Sequence, residues 1–257
     1  MLKTRLDVSD DQFENCYVPT NNQMGFMLTK IDSFIQRFVD YAAQNQENWH
    51  LDVGAAFGIA TLAALEKGAK MIANDIDASH LTVISEIGAG RFDNTLRLLP
   101  GDIRQDLEYP DLSFGSVLFS RVLHFFTGAE IIHCLKGIKE RLRPGGKVFV
   151  VNETPYFGTA KDFIPIYLQR KKEGRQWPSF LTLEEVKTYF ALSKRPFVTN
   201  SVLFFDEELM RHVAQEAELH LEEMGTLDRR GFFPEDALYD GRESLWAILS
   251  KPKNAGA

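Results

Sequence analysis

The chain has 257 residues, 44% apolar and 25% charged, enough for one large α/β core without disulfides or a structural metal, which excludes disorder as the default. A formal charge of −7 argues against a broad electrostatic grip on nucleic-acid backbones or anionic lipid. Its two cysteines, Cys16 and Cys134, stand far apart without C-x-x-C spacing, no apolar N-terminal run suggests a signal peptide, and the longest apolar stretch is broken by Ser120, Arg121 and His124. A reduced, cytoplasmic setting without a membrane anchor is the expectation.

In chain order, residues 28–44 carry Leu28, Ile31, Phe34, Ile35, Phe38, Val39 and Ala42 at helical spacing, which predicts an amphipathic helix. WHLDVGA (49–55) reads as a short strand that turns into the helix IATLAALEKG, ended by Gly68. KMIANDI (70–76) is a second strand, and SHLTVISEI a helix capped by Asp77 or Ser79. LRLLPGD (96–102) is the third strand and SVLFSRVL (116–123) the fourth. A helix over 128–142 follows, RPGG turns the chain, and KVFVVNE (147–153) is the fifth strand. Strands and helices that alternate with short links predict right-handed crossovers and a Rossmann-like, mostly parallel open sheet with helices on both faces.

Residues 155–205 interrupt this rhythm with eleven aromatics, from Tyr156 and Phe157 through Trp177 and Phe197 to Phe204 and Phe205, and a basic run at Arg170, Lys171, Lys172 and Arg175. That composition reads as a cap inserted after the fifth strand, its aromatics forming the cap's own core or an apolar pocket wall, and its cations a solvated face or a lure for an acidic ligand. A helix over 206–219 and strands near 219–225 and 243–251 bring the sheet to seven strands. The long polar connection 226–242 between the last two strands is expected to rim a site. The whole is read as one domain: an N-terminal helical segment (1–47), a cofactor-binding core (48–153), the cap (155–205) and the C-terminal part of the sheet (206–251).

The chemistry concentrates at strand ends. LDVGAAFG places Asp52 at the end of the first strand and Gly54 to Gly58 in the turn, where small residues let backbone approach a ligand. The dinucleotide spacing G-x-G-x-x-G is absent, and Phe57 is expected to crowd the place of a pyrophosphate, which disfavours a nicotinamide cofactor. Asp75 ends the second strand about 20 residues after the turn, the distance at which an acid reaches a ribose hydroxyl. Asp102, in LPGDIRQDL, ends the third strand, where it can accept from an adenine amine while Ile103 covers the ring.

On these residues the chain resembles the class I S-adenosylmethionine-dependent methyltransferases. LDVGAAFG is similar to the family's first motif, ANDID to its ribose motif, PGDI to its adenine motif, SFGSVLFSRVLHF to its fourth strand and LRPGGKVFVV to its fifth. The resemblance implies that Asp52 with the backbone of Gly54, Ala55 and Ala56 holds the methionine part. It gives Asp75 the ribose hydroxyls, Ile76 and Ile103 the adenine faces, and Asp102 the adenine amine. Ser120 and Arg121 border the methionine amine and the transferred methyl. The chain departs from the pattern at Ala56, where a glycine is usual, and at Gly115, where an aspartate is usual; these two positions keep open a non-catalytic, cofactor-binding regulator.

The fourth strand lacks the N/D-P-P-Y/F segment of enzymes that methylate base amines or glutamine amides, and no Pro-Cys nucleophile is present. With the net acidity, this points to a small-molecule acceptor methylated on oxygen or nitrogen, with a peptide or protein acceptor as the variant. His124, just past the fourth strand, is the candidate for positioning the acceptor or for partial removal of its proton.

Overall fold

A computed structural model of the chain describes residues 17–105, 113–190 and 201–253. An N-terminal hairpin of β1 (Tyr17–Pro19) and β2 (Phe26–Leu28) precedes helix α1 (Ser33–Gln44). Helix α1 is shorter than its periodicity implies. Asp32 accepts hydrogen bonds from the Phe34 and Ile35 amides and so fixes the first turn there, while Leu28 pairs with Tyr17 in the hairpin.

The alternating core follows: β3 (Trp49–Val53), α2 (Ile59–Glu66), β4 (Lys70–Asp75), α3 (Ala78–Gly88), β5 (Leu96–Pro100), β6 (Phe114–Ser120), α4 (Gly128–Arg141) and β7 (Leu142–Glu153). The C-terminal part adds α7 (Glu207–Glu216), β10 (His220–Leu227) and β11 (Ser244–Ser250). The seven strands lie in the order β10-β11-β7-β6-β3-β4-β5. Pairs from β5 to β7 are parallel, and β11 and β10 are added antiparallel at one edge. The expected mostly parallel seven-stranded sheet is therefore present. β7 begins five residues before the expected strand, because Leu142 already pairs with Phe114. The RPGG segment is absorbed as an irregularity, where Gly145 donates to the Lys251 carbonyl and turns at φ 76°.

Period-two alternation explains why both faces are covered. Val117 and Phe119 of β6, with Val148 and Val150 of β7, point to one face and meet Ile131, Leu135 and Ile138 of α4 and Leu209, Met210 and Val213 of α7. Leu118, Phe149 and Val151 point to the other and meet Phe34, Phe38 and Val39 of α1 and Ala60 and Ala64 of α2. β3 sits between β4 and β6, whose connections run to opposite sides. The crevice beyond its carboxyl end is thus the topological switch point where open α/β sheets bind ligands.

After β7 come a 3-10 turn (Gly158–Phe163), α5 (Ile164–Lys172), β8 (Phe180–Thr182), α6 (Leu183–Tyr189) and β9 (Ser201–Leu203), with β8 and β9 paired antiparallel. Phe163, Tyr167, Leu181, Phe190 and Phe204 form a small hydrophobic core of their own there. Most of the segment's aromatics are consumed in that core, while Phe205, Trp177 and Phe180 join the main one. Phe197 lies outside the described residues. Among the described residues no helix is long and apolar enough to cross a membrane.

Candidate cofactor and acceptor site

The carboxyl ends of β3, β4, β5, β6 and β7 open into one cavity of about 770 Å³. Its wall includes Asp52, Gly54, Ala55, Ala56, Asp75, Ile76, Asp102, Ile103, Ser120, Arg121 and His124, so the residues expected to touch the cofactor or the acceptor's reacting group line one space.

The turn after β3 is shaped by three left-handed residues, Gly54 at φ 65°, Ala56 at φ 46° and Gly58 at φ 81°. A Cβ on Gly54 would lie 2.5 Å from Val122 Cγ2, and one on Gly58 2.7 Å from Ile84 Cγ1, so both positions require glycine. Ala56 tolerates its conformation because its amide donates to Asp75 Oδ2 at 2.8 Å and its methyl is packed with Val18, Met27 and Phe57. Phe57 itself does not line the cavity. It is buried beneath the hairpin, so the expectation that it crowds a phosphate site is wrong; the left-handed turn shapes that place instead.

Each strand-end acid is held differently. Asp52 is buried and accepts from the Thr61 hydroxyl at 2.7 Å; burial raises its pKa to about 7, against the pull of Thr61. Asp75 accepts from the Ala56 and Asp77 amides, and its Oδ1 lies 3.0 Å from His80 Nδ1. Asp102 is gripped by Arg104, whose Nη2 reaches Oδ2 at 2.6 Å, and the guanidinium holds its carboxyl below the usual carboxylate range. Arg104 in turn bonds Glu130 and lies over the Phe126 ring. Ile76 is 53% exposed although apolar, an open face inside a binding cavity.

At the ends of β6 and β7 the wall is an ion network that the sequence did not announce. Arg121, at φ 59°, donates to Asp32 Oδ2 at 3.1 Å, and its Nε lies 3.0 Å from Glu153 Oε1. Arg229, fully buried, donates to the same Asp32 oxygen at 2.8 Å, with its guanidinium 4.5 Å from the Phe233 ring centre. Burial raises the Glu153 pKa, opposed by Arg121. The acid closing VNE could have been read as a fourth strand-end carboxylate, and Asp32 as a helix cap. Arg229 carries no local signal.

His124 lies in a 3-10 turn (Leu123–Phe125), 7% exposed. Burial lowers its pKa to about 4, with Asn152 favouring and Arg121 opposing the charged ring, and its Nδ1 has no hydrogen-bond partner. Phe125, Phe157, Phe233 and Pro234 supply the apolar part of this end, so the 226–242 connection does rim the cavity. The basic run does not reach it. Arg170 pairs with Glu185, Lys171 with Asp206 and Glu208, and Arg175 with Glu173. Among the described residues, no cluster of His, Cys, Asp or Glu could hold a metal ion.

The open α/β sheet with antiparallel edge strands and an acid-glycine turn at its switch point is the arrangement that the resemblance to the class I S-adenosylmethionine-dependent methyltransferases implies. Residues 51–150, the greater part of the alternating core, match the family model described as a methyltransferase domain. A cypemycin N-terminal methyltransferase of a Streptomyces species is 33% identical over 102 residues, 39% of this chain, and the match spans only 40% of that protein. A crystal structure of a SAM-dependent methyltransferase from Methanosarcina mazei superimposes with a TM-score of 0.62 at 14% identity, covering 87% of this chain and 99% of the other. The Burkholderia thailandensis 1,6-didemethyltoxoflavin-N1-methyltransferase, solved with S-adenosylhomocysteine, gives 0.56 at 15% identity over 86% of this chain and 79% of that one. The cavity fits S-adenosylmethionine: a cradle at Gly54 that any Cβ would fill, apolar Ile76 and Ile103 for a flat ring, and the Asp52 and Asp75 carboxylates, both buried, beside them.

Proposed function

We propose that the protein transfers a methyl group from S-adenosylmethionine to a small-molecule acceptor, on oxygen or nitrogen. The observation that supports this most is the continuity of one cavity from the acid-lined carboxyl ends of β3 to β5 into an end walled by Phe125, Phe157 and Phe233. Asp52 and the Gly54–Ala56 backbone hold the methionine part, Asp75 the ribose, Asp102 the adenine amine between Ile76 and Ile103, and Ser120 and Arg121 border the transferred group. When bound, the cofactor supplies a methyl activated by a sulfonium. The chain's own task is to align the acceptor and exclude water, and alignment contributes on the order of 7–11 kcal/mol to such a step. His124, neutral and buried, positions the acceptor.

A peptide acceptor is the second reading, favoured by the local likeness to an N-terminal methyltransferase. Nucleic acid is disfavoured by the charge of −7. Size-fractionated cell extract incubated with labelled S-adenosylmethionine tests the choice. Label in the small-molecule fraction supports the first reading, label in peptides the second, and S-adenosylhomocysteine formed in neither ends both.

A further inference from the structure

The β1–β2 hairpin is one wall of the cavity, contributing Thr20, Met24, Phe26 and Met27. Val18 and Met27 pack on Ala56 and Phe57 of the glycine turn. The hairpin is tied to the core by hydrogen bonds from Asn21, one of them to a buried side chain, His80. The Asn21 amide donates to His80 Nε2 at 3.0 Å, and a backbone amide can only donate, so Nε2 is the bare, accepting nitrogen. The ring proton therefore sits on Nδ1, which donates to Asp75 Oδ1 at 3.0 Å. His80 is 1% exposed and stands edge-on to Phe57, with ring centres 5.0 Å apart. The Asn21 side chain adds a bond to Ser79 Oγ at 2.9 Å.

We propose that the hairpin is a working part of the cofactor site, and that His80 is the positioning residue that fixes it there by bridging the Asn21 amide to the Asp75 carboxylate. The inference builds on the cofactor reading of Asp75. A buried neutral imidazole has one donor and one acceptor, and here both are used on opposite sides. If the hairpin lifts away, Nε2 loses its donor and is left facing Asp77 Oδ2 at 3.9 Å, an acceptor against an acceptor. The placement of the hairpin and the aim of the ribose-binding carboxylate are thereby set together. A cofactor held by Asp75 is released only when the wall above it also yields.

Histidine's two nitrogens can be mimicked separately, because an asparagine amide reaches the Nδ1 position and a glutamine amide the Nε2 position. We would measure binding and dissociation of S-adenosylhomocysteine for wild type, His80→Ala, His80→Asn and His80→Gln, with hydrogen exchange over residues 17–28 as a second readout. The expected result is about tenfold faster dissociation for His80→Ala and His80→Asn, with faster exchange in the hairpin, and near wild-type behaviour for His80→Gln. In wild type, S-adenosylhomocysteine should slow exchange over residues 17–28, a measurement that stands even if a variant does not fold. Rescue by His80→Asn instead of His80→Gln would reduce His80 to a support for Asp75 and overturn the proposal, as would unchanged dissociation in every variant or no protection of the wild-type hairpin. A wild-type protein that fails to bind S-adenosylhomocysteine would defeat the cofactor reading itself, a separate outcome.

Discussion

The two ends of the cavity are built on different principles. Where β3, β4 and β5 end, the site is made of short pieces: an acid stands at or near each strand end, the turn after β3 is left-handed, and groups from within that core, the Thr61 hydroxyl, the Ala56 and Asp77 amides and the Arg104 guanidinium, hold the acids. Where β6 and β7 end, Asp32, Arg121, Glu153 and Arg229 come from four distant places and hold one another. The first end is defined by backbone geometry and suits an invariant ligand. The second depends on packing and charge balance, so its shape can be changed by substitution far from the site, as suits a variable acceptor.

The sharpest way to break this contrast is to remove the carboxylate at the centre of the second network. Asp32→Ala leaves the fully buried Arg229 without its ion partner and Arg121 with Glu153 alone, and deletes the cap of α1. Loss of one partner of a buried ion pair costs about 3–5 kcal/mol, whereas loss of a cap alone costs about 1 kcal/mol. Urea unfolding should show the larger figure. Asp32→Asn, which keeps a capping oxygen but not the charge, should recover only the smaller part. A loss no greater than that of a cap would mean that the network does not organise this end.

At the other end the expected loss falls on ligand affinity. Asp75→Ala should weaken S-adenosylhomocysteine binding by about 1.5–3 kcal/mol, the range for hydrogen bonds to a charged group. Titration calorimetry on the folded variant decides, and unchanged affinity would leave Asp75 as a local brace for the Ala56 and Asp77 amides.

This contrast also explains what could be read from sequence. Asp52, Asp75 and Asp102 were visible because each lies within two residues of the carboxyl end of a parallel strand, where the chain reaches the binding edge, so order along the chain is order in space; Asp102 falls just past β5, which ends at Pro100 rather than at the expected residue 102. Ala56 and Gly115 looked like defects, yet each has a local cause. Ala56 is locked by its bond to Asp75. At Gly115 an added Cβ would meet Asn48 Cβ at 2.7 Å and His50 Cε1 at 2.9 Å, so the aspartate usual there has no room. Arg229 and the β1–β2 hairpin stayed hidden because what positions them is about 200 and 60 residues away respectively, and periodicity carries no such information. The aromatics of 155–205 left two readings open in the sequence, and most of them went into a core of their own, because such a segment buries its own apolar side chains before it can furnish a wall; Phe157 does both.

A smaller effect sharpens the cofactor end. The buried Asp52 carboxyl keeps its proton up to about pH 7. Its folded value is raised from 3.8, so its contribution to folding is present at low pH and lost as pH rises through about 7. Binding runs the other way. A cationic amine beside Asp52 drives the proton off, so S-adenosylhomocysteine affinity should fall by up to about tenfold per unit as pH drops below 7 and level off above it. Calorimetry from pH 5.5 to 8 on wild type and Asp52→Asn checks this; an equally steep dependence in Asp52→Asn would assign the proton elsewhere.

The smallest effect is expected at His124, where the acceptor end meets the transferred group. A general base works best with a pKa near the working pH, and its loss typically costs roughly 10²–10⁴-fold in rate. Burial holds His124 near 4, so at neutral pH the ring is an uncharged acceptor of little basicity, with Nδ1 unpartnered in the cavity wall. Its folded value is depressed from 6.5, so its contribution to stability is present above about pH 6.5 and lost as pH falls toward 4. A neutral ring can orient an acceptor hydroxyl or amine by accepting its hydrogen bond, and a glutamine could do the same. His124→Gln should therefore lower turnover by less than about tenfold and leave cofactor affinity unchanged, a loss in the range of one hydrogen bond. Turnover between pH 6 and 8 should show no ionisation that the substitution abolishes. A loss in the general-base range, with an acid limb of the wild-type profile that vanishes in His124→Gln, would show that bound acceptor and cofactor restore basicity to the ring, and that this end does proton chemistry as well as positioning.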